Sequence, residues 1–172
     1  MSTFPEARRW PGSEWLKDHP RLLETVYVFT ERLLKAAWPL LKRVSPRASA
    51  KLLLWIEKPV KEILFNCQMC GQCILHSTGM TCPMNCPKNL RNGPCGGVRA
   101  NGHCEVIPEM PCVWVLAWRR DAAMATFGGE IQLLQPPVNR TLQHTSSWVN
   151  MLQGSDSRTP PGWTRIELEE GR

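Results

Sequence analysis

Eight cysteines, the chain's full complement, fall between Cys67 and Cys112, and flanks of 66 and 60 residues hold none. In order they are Cys67, Cys70, Cys73, Cys82, Cys86, Cys95, Cys104 and Cys112: a C-x2-C-x2-C run, then gaps of eight, three, eight, eight and seven residues. Thiols at this density pair as disulfides, hold zinc, or hold iron and sulfide. At four ligands per centre, eight cysteines make two complete sites with none left over.

Disulfides suit small secreted domains, but the opening residues MSTFPEARRWPGSEW carry no apolar core of signal-peptide length. A reducing, cytoplasmic setting is the expectation. Zinc ribbons usually present two C-x2-C knuckles on either side of a long spacer, and no second C-x2-C pair exists here. Three thiolates at successive two-residue gaps, completed by a distant cysteine followed by proline, are the habit of [4Fe-4S] sites such as the C-x2-C-x2-C-x3-C-P run of bacterial ferredoxins. Both halves are present, Cys67–Cys73 and then Cys82, Cys86 and Pro87, separated by an insertion. The match to that run is partial, so spacing by itself favours one cluster over two, with zinc able to fill the second site, and it does not say which four cysteines share a centre. Taken with the full complement of eight thiols, the expectation is two [4Fe-4S] clusters, with zinc in one or both sites as the alternative. His76 and His103 could replace a thiolate in a mixed zinc site, but with no thiolate missing they read as exposed loop histidines.

The stretch NLRNGPCGGVRANGHC has glycines at 93, 96, 97 and 102, which allow positive φ, close approach and amides aimed at sulfur. A [4Fe-4S] core with four thiolates carries about −2 and needs such donors or nearby cations when buried. Lys88, Arg91 and Arg99 are available cations, each of which reads equally well as part of a solvated loop face.

The strings CQMCGQC, TCPMNCPKNLRNGPCGG, GHCEV and TLQHTSSWVN together resemble the cysteine-rich C-terminal domain of methylenetetrahydrofolate reductases, and in particular the small iron-sulfur subunit of the two-subunit enzymes. The likeness spans roughly residues 60–155, and PKNLRNGPCGG is its most specific part. The resemblance implies a non-catalytic subunit of an oxidoreductase complex, with all eight cysteines as ligands. An electron donor protein would supply it, and it would pass electrons to FMN or FAD in a separate catalytic subunit, where methylenetetrahydrofolate is reduced to methyltetrahydrofolate. The runner-up is a structural zinc-binding scaffold of the same or a related methyl-transfer complex, without redox work.

The elements that must position these cysteines read as mainly α with irregular loops and no large sheet: a small cysteine-rich iron-sulfur domain wrapped by helices. At 172 residues the chain is too short for a flavin-binding barrel of about 250. It also lacks a G-x-G-x-x-G fingerprint, a P-loop and a G-x-S-x-G elbow. The first 18 residues read as an irregular lead-in. After Pro20, apolar residues at 22, 23, 26, 33, 34, 37 and 41 predict an amphipathic helix that kinks or stops at Pro39. Ser45-Pro46 caps a second helix running toward Pro59, and a short turn over 60–65 then leads to Cys67. Residues 113–125 predict a helix ending near Gly128-Gly129, with Trp114 and Trp118 as core or cluster cover. Residues 131–150 read as an extended arm with a short final helix.

The layout is therefore a helical N-terminal extension over 1–58 for partner docking, a cysteine-rich cluster domain over 59–154 and a flexible tail over 155–172. Residues 1–66 hold 12 basic against 7 acidic side chains, which is nearly all of the net +6, so a protein partner is expected on this extension. Nucleic acid is not expected, since the cysteine block holds three basic and two acidic side chains and no aromatic residue between its cysteines to stack on bases. No apolar run approaches the roughly 20 residues that span a bilayer.

Overall fold

The computed structural model describes residues 15–16 and 18–158; the expected lead-in and tail otherwise lie outside the described residues. Among the described residues, four helices with defined bounds follow one another: α1, Pro20–Val44; α2, Pro46–Phe65; α3, Val113–Asp121; and α4, Ser147–Gln153. Short 3-10 turns at His76–Thr78, Pro83–Asn85, Glu130–Gln132 and Arg140–Leu142 punctuate the loops between them. Among the described residues the only β pairing is an isolated bridge between His103 and Pro111. The expected mainly α architecture with irregular loops is what is seen.

Proline 20 opens α1 where its missing N–H costs nothing, and Lys42 and Arg43 in the last turn suit the negative end of the helix dipole. The helix does not stop at Pro39 but runs on to Val44. Likewise α2, opened by Ser45 accepting from the Ala48 amide, passes through Pro59 to Phe65, so the separate turn expected over 60–65 is part of it. Both prolines are exposed, and at such positions water can serve the carbonyl that each deprives of its i−4 donor.

Helix α3 ends at Asp121, four residues short of the expected 125. A tertiary competitor outbids the helix there. The carboxylate of Glu24 on α1 accepts from the amides of Ala125, Thr126 and Phe127 at 2.7–2.8 Å, and Asp121 accepts from the Gly129 amide at 2.9 Å. Those N–H groups are thereby taken from the i−4 ladder. Trp114 on α3 is buried, as expected of core cover, whereas Trp118 is 42 % exposed.

The interior divides into two cores, each containing cysteines. One joins Leu23, Leu75, Met80, Met84 and Met124 to Cys70 and Cys82, with Tyr27, Phe65 and Cys73 packed against it. The other joins Trp114, Ala117 and Ile131 to Cys86 and Cys112. Burying some 5–10 side chains apiece is little for a chain this long, so bonds to the cysteines themselves would carry much of the organisation.

Candidate metal centre

Helix α2 ends with Asn66 in the left-handed region, φ 49°, and delivers the chain straight into Cys67. The loop CQMCGQC then coils tightly, with Met69 at φ 46° and Gly71 at φ 76°. A Cβ on Gly71 would run into the Leu142 carbonyl oxygen, so only glycine permits this approach of the C-terminal arm. The arm fixes the loop further: Asn150 donates to the Gly71 carbonyl at 2.8 Å, Gln143 to that of Gln68 at 2.8 Å, and the His144 amide to that of Met69 at 2.8 Å. Gln72 is held on both sides, accepting from the Asn139 amide at 2.7 Å and donating to the Asp156 carbonyl at 2.6 Å.

Within that frame Cys67, Cys70, Cys73 and Cys82 line a single pocket, which they share with Lys61, Glu57, Met69, Met84 and Arg91. The fourth cysteine at this pocket is Cys82, which is itself followed by a proline, and not Cys86. A hydrogen bond from Cys82 is the main influence holding the Cys67 thiol down, to about 7, helped by the Met69 amide and Lys61. The same bond, with burial, pushes Cys82 well above the ordinary thiol value. Burial also raises Cys70. Cys67 is therefore the thiol poised to ionise beside Cys70 and Cys82, and a bound metal would deprotonate its ligands outright.

Two buried cations reach this pocket. Lys61 on α2 pairs with Glu57 at 2.7 Å, both side chains being less than a tenth exposed. Ser146 and Ser147 donate to the Glu57 carboxylate at 2.5 Å, and Lys61 also donates to Ser147 at 2.7 Å and lies 5.0 Å from the Trp148 ring centre. Burial works against the Lys61 charge, but Cys73 and Glu57 more than offset it and its pKa is raised. Arg91 is 7 % exposed and donates through one nitrogen to the Gln72 carbonyl at 3.1 Å. Its Nε and Nη1 are buried with no hydrogen-bond partner.

Cys86, Cys95, Cys104 and Cys112 do not line that pocket, and contacts between the segments that carry them are what the structure shows. Cys86 and Cys112 share the second core with Trp114. The Cys104 amide donates to Met110 and the Cys112 amide to Gly102, each at 2.9 Å, so the His103–Pro111 bridge holds their two strands of chain side by side. Lys88, two residues after Cys86, pairs with Glu105, one residue after Cys104, and the Glu105 carboxylate lies against Gly97, two residues after Cys95. The Trp114 indole N–H is buried here without a partner. A Cβ on Gly93 would collide with the Trp114 ring, which is why that loop needs glycine.

All eight cysteines are free thiols. Among the described residues, no three His, Cys, Asp or Glu side chains are grouped as a single-ion site. The lining of the first pocket, four thiols beside an arginine with two buried donors that lack a partner, suits an anionic four-thiolate centre. Neither histidine joins it. His76 bonds Tyr27 at 3.3 Å and faces Glu130 at 3.8 Å, and His103 lies 2.7 Å from the Pro108 carbonyl; both are half-buried, not the exposed loop side chains expected. Of the four loop glycines, only Gly102 has positive φ. Lys61, Glu57 and Gln72 were missed as site residues, although an i, i+4 Glu–Lys pair directly before the first cysteine was readable in the sequence.

Residues 47–141, more than half of the chain, match the family model described as methylene-tetrahydrofolate reductase C terminal. The chain belongs to this family. The matched stretch takes in all of the cysteines and nearly the whole of α2 and α3, and the reductase-family segment so defined coincides with both cysteine sets. No curated protein and no solved structure matches the chain. Among the described residues, no helix is long and apolar enough to cross a membrane.

Proposed function

We propose that this chain is the iron-sulfur electron-transfer component of a methylenetetrahydrofolate reductase system. The observation that carries the reading is the convergence of Cys67, Cys70, Cys73 and Cys82 on one buried pocket flanked by Lys61 and Arg91. Membership of the reductase C-terminal family supplies the folate context. A [4Fe-4S] centre, when bound, takes up and releases one electron at a time. Cys67, Cys70, Cys73 and Cys82 would hold one such centre and Cys86, Cys95, Cys104 and Cys112 a second.

The chain's own residues then do three things. The cysteines anchor, the packed arm of residues 139–150 and helix α4 exclude water, and the buried cations compensate charge. No acid, base or nucleophile is required of this chain. The balance is two electrons from a donor protein, a ferredoxin or flavoprotein, and two protons; together they convert methylenetetrahydrofolate to methyltetrahydrofolate on the flavin of a separate subunit.

Docking to that subunit is assigned to α1 and α2. Leu22, Val26, Phe29, Leu33 and Leu40 recur along one side of α1 at 45–68 % exposure, and α2 exposes Leu52, Trp55, Ile56, Val60 and Ile63. A monomer seldom leaves so continuous an apolar stripe to water. Arg32, Lys35, Arg47 and Lys51 around it are exposed as well, which suits an apolar groove with an acidic rim. Colour is the first test: a brown protein with broad visible absorption supports the reading, and a colourless, zinc-loaded one overturns it in favour of a structural scaffold.

A further inference from the structure

The sequence offers Lys88, Arg91 and Arg99 as equivalent cations, and the structure separates them. Lys88 is spent on Glu105 at the surface and Arg99 is exposed. Arg91 alone of the three enters the first cysteine pocket, although it sits on the loop between Cys86 and Cys95, which belong to the second set.

A guanidinium does not give up its proton in a protein, so its charge must be met where it lies. Arg91 has no carboxylate partner among the described residues, and Glu57, the acid that lines the same pocket, is already occupied by Lys61 and two serines. Nη2 bonds the Gln72 carbonyl, to which the Cys70 thiol also donates at 3.4 Å, and this puts the guanidinium beside the sulfurs. Two buried N–H groups without a partner on a buried cation are unfavourable unless an anion meets them. The groups in the pocket able to become anionic and accept from them are Cys67, Cys70, Cys73 and Cys82.

We infer that Arg91 is the fixed counter-charge of the Cys67–Cys70–Cys73–Cys82 centre, donating Nε–H and Nη1–H to its sulfur and thereby favouring its reduced, more negative state. Arg91 acts as a positioning and tuning residue, reaching one centre from the loop that builds the other. The inference rests on the iron-sulfur reading above, and extends it by naming the residue that sets the potential.

The test is a redox titration, followed by electron paramagnetic resonance, of wild type, Arg91→Met and Arg91→Lys, with iron and acid-labile sulfide measured on each. Arg91→Met should keep its iron while the reduced-to-oxidised ratio of one centre at fixed ambient potential falls about tenfold, a shift of about 59 mV for one electron. Arg91→Lys should recover most of that shift, and the other centre should not move. Equal potentials in wild type and Arg91→Met at equal iron content overturn this inference alone. Wild type without iron and sulfide overturns the electron-transfer reading, and this inference with it. If Arg91→Met fails to load iron, Arg91→Lys decides: iron retained supports the charge role, and iron lost from both variants overturns it in favour of packing alone.

Discussion

Cys82 and Cys86 stand at the two ends of a single 3-10 turn, Pro83–Asn85, yet belong to different cores, Cys82 with Cys70 and Leu75, Cys86 with Cys112 and Trp114. The turn closes through the Asn85 amide on the Cys82 carbonyl at 3.2 Å and the Cys86 amide on that of Pro83 at 3.0 Å. At about 2 Å of rise per residue, it sets the two cysteines about 8 Å apart along its axis. Two centres held this way would exchange electrons through one rigid turn.

Substituting these neighbours should therefore have separable effects. Cys82→Ala is expected to remove the iron of the first site, about half of the total, and Cys86→Ala the other half, each leaving the spectroscopic signature of the remaining centre. Iron analysis with paramagnetic resonance checks this; loss of both centres from either variant would count against the partition.

The Glu57–Lys61 pair is buried and shared with Ser146 and Ser147, so it ties α2 to the start of α4. Lys61→Met strands a buried carboxylate and should cost about 3–5 kcal/mol, read as a lower denaturant midpoint. Adding Glu57→Leu should restore part of the loss, because the stranded charge is gone; additive losses would mean that the two side chains act independently.

Glu24 governs the loop after α3. Burial would raise its pKa, but bonds from the amides of Ala125, Phe127 and Thr126 prevail and hold it below the ordinary value of 4.5. Its stabilisation is thus fully present above pH 4.5 and is lost as pH falls through the lowered folded value. Glu24→Gln weakens three charge-assisted bonds, and at neutral pH should cost about 1–3 kcal/mol locally. Hydrogen exchange at Ala125, Thr126 and Phe127 is the readout; unchanged protection there would refute the role.

Removing residues 1–58 would also take Leu23, Tyr27, Glu24 and Glu57 out of the fold, so truncation is a poor probe of docking. Phe29→Glu with Trp55→Glu is cleaner, since the two are 68 % and 76 % exposed. The double variant should keep its iron but lose co-elution with the flavin subunit on size exclusion. Undiminished co-elution would move the interface elsewhere.

The helical class was legible because periodicity is a local signal, and the tight spacing of Cys67, Cys70 and Cys73 in the same way brings them to one pocket. Ser45 and Pro46 marked the start of α2 for the same reason. Pro39 and Pro59 misled because the cost of a proline depends on whether its side of the helix is wet, a tertiary fact. The early end of α3 was hidden since Glu24, which competes for its amides, lies about a hundred residues earlier in the chain. Which cysteine shares the pocket of the C-x2-C-x2-C run was equally hidden: Cys82 and Cys86 are both followed by proline, and spacing does not separate them.

The most direct measurement is metal and acid-labile sulfide content of anaerobically purified protein, co-expressed with any neighbouring flavoprotein. Two [4Fe-4S] centres predict about eight iron and about eight sulfide per chain. About two zinc and no sulfide would contradict the account and leave the eight thiols a structural task.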